Sequence, residues 1–176
     1  MPTPSNASDL LSFIRSRRSV RKYTDEPVAE SDIQKLLEAA MAAPSGRNLR
    51  PWEFVVVTDA ATRAELSKSH PAAAMAASAP VVFVVCGREP DSFHWIVDGA
   101  AATENLLLAA VALGLGGVWL GVYPYPDREA HVRRVAGLPD NVRPLCMVPI
   151  GHPAESPEPR TQFDAAHVHR NRFGAQ

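Results

Sequence analysis

The sequence predicts a single domain of mixed helix and strand, an α+β or α/β sandwich, and three observations predict it. Helical and strand periodicities alternate along the chain rather than separating into blocks. At 176 residues and 19.0 kDa the chain is long enough for one core to bury most of its apolar surface. No repeat and no linker marks a second unit, so residues 1–176 are expected to fold as one domain.

The elements follow from periodicity and punctuation. Ser8 is a candidate cap for a first helix that carries Leu10, Leu11, Phe13 and Ile14 and ends near Ser16. A basic loop, RRSVRKYTDEPV, comes next. Ser31 then caps a helix with Ile33, Leu36, Leu37 and Ala40 on one face, stopped by Pro44. The loop PSGRNLRP leads into the strand WEFVVVTD, a short amphipathic helix ATRAELSKSH, and the continuous apolar strand PVVFVVCG. A helix from about His94 to Leu113 is apolar nearly all round and belongs at the centre of the fold. GGVWLGVYP reads as a third strand, DREAHVRRVAG as a helix ended by Gly137, and VRPLCMVPIG as a fourth strand. The tail from about residue 152 is rich in proline and has no sustained period. Its apolar anchors Phe163, Val168 and Phe173 suit a segment draped over another surface, such as a second subunit.

Eighteen Lys and Arg residues balance nineteen Asp and Glu, so nothing global points to nucleic acid or an acidic membrane. Cys86 and Cys146 lie in apolar strands without metal-type spacing and read as reduced core thiols, which suits a cytosolic protein. No secretory signal is expected from the N-terminal residues. Asp98, Glu104 and Asn105 interrupt the long apolar stretch, which favours a buried central helix over a membrane span. His167 and His169 alternate, but no other ligand run converges on them, and no metal site is expected.

Three loops carry the chemistry. Arg17, Arg18 and Arg21 surround Ser19. Cations near a helix C-terminus complement the macrodipole, which is one reading of the cluster. Forked guanidinium donors for a phosphate are the other. No Walker loop and no GxGxxG segment is present, so a nucleoside triphosphate or a Rossmann-bound dinucleotide is disfavoured. In the second loop, Asn48 offers a paired donor and acceptor suited to the edge of a heterocycle, or bonds its own backbone in an ordinary turn. In the third, Gly114, Gly116, Gly117 and Gly121 exceed the one glycine a helix cap needs, which suggests close approach to something flat. Trp52, Trp95 and Trp119 read as core anchors, the last also placed to border a ligand.

In this order and spacing, RRSVRKYTDEPV, AAMAAPSGRNLRPWEFVVV, DGAAATENLLLAAVALGLGGVWLG and VPIGHPAE followed by FDAAHVHRNRF closely resemble the nitroreductase family of flavin mononucleotide (FMN) enzymes. The resemblance covers nearly the whole chain. It implies an α+β fold with a mixed, mostly antiparallel sheet flanked by helices and an extended C-terminal tail. It also implies an intertwined homodimer with flavin at the interface. Arg17, Arg18, Ser19 and Arg21 then fall where the family holds the flavin phosphate and ribityl chain. Asn48, with Pro44 and Ser45, falls where the partner subunit faces the flavin ring. Gly116, Gly117, Val118 and Trp119 fall where main-chain amides approach it.

Two departures stand out. Gln162 occupies a place often basic in the family, leaving Arg160 as the candidate phosphate ligand, and Arg47 and Arg50 stand where smaller or neutral residues are common. Those two charges suit an anionic electron acceptor, the extra phosphate of NADPH, or a solvated rim. The resemblance implies a cytoplasmic enzyme passing hydride from NADH or NADPH through FMN to a nitroaromatic, quinone or similar small acceptor by a ping-pong cycle. No catalytic acid or nucleophile is needed, because the flavin carries the chemistry. Alternatives are same-fold flavoenzymes that dehalogenate, dehydrogenate or destroy flavin, or a non-catalytic flavin-binding protein.

Overall fold

The computed structural model describes residues 6–158 and 162–174, which divide into two compact units. The larger, Arg17–Pro157, is built on one sheet. Its strands are β1 (Trp52–Val57), β2 (Val81–Arg88), β3 (Gly116–Gly117), β4 (Leu120–Gly121) and β5 (Val142–Gly151). The order is β1-β2-β5-β3, with β4 also on β5, and every pairing of these strands is antiparallel. Helices α2 (Glu30–Met41) and α4 (Trp95–Ala112) cover one face, while α3 (Ala60–Leu66) and α5 (Pro126–Ala136) cover the other. The fold class is therefore the expected α+β, with its sheet wholly antiparallel among the named strands.

Period-two alternation along β2 explains the two cores. Val81, Phe83 and Val85 pack with Ile33, Leu36 and Leu106 on the α2/α4 face; Val82, Val84 and Cys86 pack with Leu66 and Val132 on the other. A register shift between Val85 and Cys86 pairs these residues with Cys146 and Pro144. Leu145 is thereby the extra residue of a bulge, and it and Cys146 both enter the α2/α4 core. Cys86 and Cys146 are buried free thiols. α4 has the length and composition of a membrane span, but Trp95, Ala102, Leu106 and Ala110 are buried against the sheet.

The expected third strand is split. Residues 116–121 keep one register against β5, yet the ladder is interrupted at Val118 and Trp119. In that register Val118 stands opposite Pro149, which has no N–H to donate. Gly137 ends α5 in the left-handed region (φ 65°), as expected. Two capping expectations need correction. α2 begins at Glu30 after Ala29, without a side-chain cap, so Ser31 lies inside it. The short helix expected over ATRAELSKSH is α-helical to Leu66 and finishes as a 3₁₀ turn, Ser67–Ser69, and a further 3₁₀ turn, Pro71–Ala76, follows beyond it.

The smaller unit comprises the described residues before Arg17 and from Glu158 onward. Its helix α1 spans Ala7–Ser16, and the Ser8 N–H donates to Asn6 Oδ1 at 3.1 Å, so Asn6 rather than Ser8 serves the first turn. In the tail, Asp164 accepts from the Ala166 N–H and starts a 3₁₀ turn, Ala165–His167. Phe163 and Phe173 are exposed, as are Leu10, Leu11 and Ile14 of α1.

Candidate functional site

The basic segment is part of the sheet edge. Ser19 forms a parallel bridge with Gly117, and the Val20 N–H donates to the Gly117 carbonyl at 3.0 Å. Two further main-chain bonds, Thr24 N–H to His152 O and Ala154 N–H to Lys22 O, fasten the segment beyond β5. The Tyr23 hydroxyl donates to the carbonyls of Val20 (2.7 Å) and Pro149 (3.1 Å). Burial, with Glu155 nearby, pushes that phenol well above its ordinary range, so it remains a donor. Two of the three sequence-predicted segments, Arg17–Arg21 and Gly116–Trp119, are thus brought together.

Carboxylates already address this cluster. Arg17 Nε lies 3.2 Å from Glu104 Oε1, and the Arg21 N–H donates to Glu155 Oε1 at 2.6 Å. The Arg17–Glu104 pair is largely solvent-exposed, so its contribution is on the order of 0–1 kcal/mol, less than a phosphate dianion offers a guanidinium fork.

The glycines have explanations within the chain. A Cβ on Gly116 would stand 2.7 Å from Val20 Cβ and Cγ2, and one on Gly117 would crowd Ile150, the Pro149 carbonyl and Leu107. Gly114 follows α4 in the left-handed region (φ 73°). Close packing and capping therefore account for three of the four, where the sequence had suggested ligand approach. Beside them the ladder is interrupted at Val118 and Trp119, and of residues 116–119 it is Trp119 that is exposed. Val118 buries its side chain in the α3/α5 core, whereas Trp119 is 37% exposed and is not the core anchor that Trp52 and Trp95 are.

The third segment lies elsewhere in the chain. The Gly46 N–H donates to Asp98 Oδ1 at 2.9 Å in the first turn of α4, and Arg50 N–H donates to Ser45 Oγ at 3.0 Å. Arg47, Asn48 and Arg50 all have positive φ (52°, 56° and 48°), three strained non-glycine residues in four. Asn48 and Pro44 are exposed and Ser45 half-buried. Gly117 meets α4 at Leu107, nine residues beyond Asp98. On a helix that is half a turn round and about 14 Å along, so the two loops flank α4 on opposite sides. Arg160 lies outside the described residues. Sequence reasoning missed Tyr23 and Glu155, whose partners are main-chain atoms remote in sequence. It also missed Asp98 as the anchor of the Gly46 loop, a role that helical position alone does not reveal.

The resident group implied by the resemblance can be tested against these residues. The Arg17, Arg18, Ser19 and Arg21 donors suit a phosphate, and main-chain positions 118 and 119, outside the strand pairing and ending at the exposed Trp119, suit the polar edge of a ring. An antiparallel α+β sheet with an arginine-rich edge segment beside a broken ladder defines the class: an oxidoreductase fold of the nitroreductase type. The nitroreductase family model matches residues 14–71 and 67–152. A protein of Methanothermobacter thermautotrophicus, provisionally named NADH dehydrogenase/NAD(P)H nitroreductase, is 42% identical over 168 residues, 94% of this chain and 88% of its own length. A crystal structure of a similarly named Parabacteroides distasonis protein superposes with a TM-score of 0.92 at 43% identity, covering 94% of this chain and 99% of that one. An FMN-dependent nitroreductase of Clostridium difficile superposes with a TM-score of 0.89 at 30% identity, covering 93% and 99%. The chain belongs to the nitroreductase family.

Proposed function

We propose that the protein is an FMN-dependent NAD(P)H oxidoreductase that works as a cytoplasmic homodimer and reduces a nitroaromatic, quinone or similar small acceptor. The observation that carries the reading is the Ser19–Gly117 bridge, which ties the arginine-rich segment to the interrupted strand. Arg17, Arg18 and Arg21 neutralise and orient the FMN phosphate, with Ser19 adding a hydroxyl donor. Arg160 adds a further charge from the tail. Main-chain amides of Gly116–Trp119 donate toward the ring, and Trp119 borders it. Asn48, with Pro44 and Ser45, serves the ring of the other protomer. The separation of the two loops around α4 within one chain supports that arrangement. The exposed apolar tail and α1 residues support a chain that packs on its partner as one domain.

Bound FMN supplies the two-electron redox chemistry. The chain's residues would bind and orient it, and would provide the positive charge and amide donors that favour added negative charge at the ring. Donor and acceptor use the same open side in turn, a ping-pong order. For a nitro acceptor, the group takes up two electrons and two protons and loses one oxygen as water, giving a nitroso product. NAD(P)H is oxidised to NAD(P)⁺, and solvent supplies the second proton. The buried thiols and the core packing of α4 support a cytoplasmic location.

The test is the visible absorption of the purified protein, repeated without oxygen after adding NADH or NADPH. A flavin band that bleaches with either donor supports the reading. Protein that stays colourless after reconstitution with FMN overturns it.

A further inference from the structure

Beside the first turn of α4 lies a groove of about 460 Å³ lined by Phe93, His94, Trp95, Ile96, Val97, Tyr123 and Glu89. Its wall is aromatic and apolar. Phe93 is 95% exposed, with the His94 ring edge-on to it at 5.6 Å between centroids. A phenylalanine so exposed leaves apolar ring surface in water that covering a flat partner would bury. The Gly46 loop abuts this groove: a Cβ on Gly46 would stand 3.0 Å from His94 Cδ2, and Gly46 is tied to Asp98 one helical turn from His94. The next residue is Arg47, and Arg50 follows on the same loop. Both side chains are exposed, and neither guanidinium has a hydrogen bond or ion pair among the described residues.

The negative groups nearby are engaged. Glu89 is held by Arg143 Nη1 at 2.9 Å, and Asp98 accepts from Gly46 N–H and Ser92 Oγ. Asp98 accepts from neutral donors and Arg143 is shared between Glu89 and Glu129, so the cationic character of the adjoining loop rests on the guanidinium groups of Arg47 and Arg50 themselves. Positive φ at Arg47, Asn48 and Arg50 fixes the loop's main chain and so limits where those arginines start.

We infer that this groove admits the electron acceptor, and that Arg47 and Arg50 select a flat aromatic acceptor bearing an anionic group, with Phe93 covering its ring. The inference rests on the proposed function, because it takes Asn48 of the same loop to face the flavin. An aromatic carboxylate satisfies both halves of the site: the ring meets Phe93 and the carboxylate meets a guanidinium fork.

The probes are 4-nitrobenzoate and its neutral near-isostere 4-nitrobenzamide, used with FMN-loaded protein. The expected result is a kcat/KM ratio of about tenfold in favour of the benzoate, the scale of one charge-assisted contact. That ratio falls toward one in the double variant Arg47→Gln/Arg50→Gln and shrinks with rising salt. Glutamine carries the same left-handed backbone cost as arginine, so the loop is not relaxed by the change. Calorimetric binding of the two probes gives the same comparison without turnover, and there the preference must also vanish in the double variant. Equal handling of the two probes by the unmodified protein overturns the inference while leaving the redox reading intact. If neither probe is reduced with NADH or NADPH, the redox reading fails, and the binding comparison still decides the groove. A double variant that keeps the benzoate preference but loses a preference for NADPH over NADH assigns the arginines to the donor's phosphate and also overturns it.

Discussion

Gly116→Ala is the substitution whose outcome the structure fixes most tightly. The added Cβ would fall 2.7 Å from Val20 Cβ and Cγ2 and 2.9 Å from its Cγ1, well inside van der Waals contact. Val20 is β-branched and buried, so it has no free rotamer to offer, and the main chain must separate instead. Overpacking of this kind costs about 1–3 kcal/mol. Separation also threatens the Val20 N–H to Gly117 carbonyl bond, worth about 1 kcal/mol net. The expected total is about 2–4 kcal/mol, read as a shift in the urea midpoint. Because the same bond carries Arg17–Arg21 alongside Gly117, FMN affinity measured by flavin fluorescence is expected to fall about tenfold or more. Gly121→Ala is the control: its Cβ meets nothing nearer than Trp119 Nε1 at 4.0 Å, so stability should change by less than about 0.5 kcal/mol. A Gly116→Ala protein with unchanged midpoint and unchanged FMN affinity would refute the reasoning.

Arg17→Ala should weaken FMN binding by about 1–3 kcal/mol without unfolding the protein, while Glu104→Ala, which removes the competing carboxylate, should leave affinity equal or higher; flavin titration distinguishes them. Asp98→Ala leaves the Gly46 amide and Ser92 hydroxyl without their acceptor and should cost about 1–3 kcal/mol, whereas Asp98→Asn keeps an oxygen toward Gly46 and should cost less. Faster hydrogen exchange at the Gly46 amide in the alanine variant is the local readout. Burial pushes the Cys86 thiol from 9.0 up to about 12. The folded state therefore holds that proton more tightly than the unfolded chain. Its contribution is full below about pH 9 and is lost as pH rises toward about 12, with a slope of at most about 1.4 kcal/mol per pH unit. Cys86→Ala should flatten the alkaline fall in urea stability, and an unchanged slope would count against the assignment.

Much of the fold was legible because its signals are local. The apolar run Val81–Cys86, the stop at Gly137 and the all-round apolarity of Trp95–Ala112 each report on a single element. The basic cluster and the glycine loop were legible as composition, but not their juxtaposition. The Ser19–Gly117 bridge joins residues almost a hundred positions apart, and no periodicity encodes it. Capping misled twice: at Ser8 the neighbouring Asn6 takes the role, and at Ser31 the helix has already begun at Glu30, after Ala29, with no side-chain cap at all. The glycines misled in another way. Sequence counts them but cannot tell a position emptied for a ligand from one emptied for Val20 or the Pro149 carbonyl. The break in the ladder at Val118 and Trp119 depends on Pro149, a residue of a different strand.

The Gly46 loop keeps its course through main-chain and short side-chain bonds: Asn48 N–H to Ser45 O, Leu49 N–H to Gly46 O, Arg50 N–H to Ser45 Oγ and Gly46 N–H to Asp98. None of these uses the side chain of residue 47, 49 or 50. Residue types that tolerate positive φ at 47 and 50, and that keep the N–H at 49 and 50, can exchange there while the path of the chain stays put. Such a loop separates heredity of shape from heredity of preference: descendants of one ancestor can differ in the reactants they accept without rebuilding the surface that presents them.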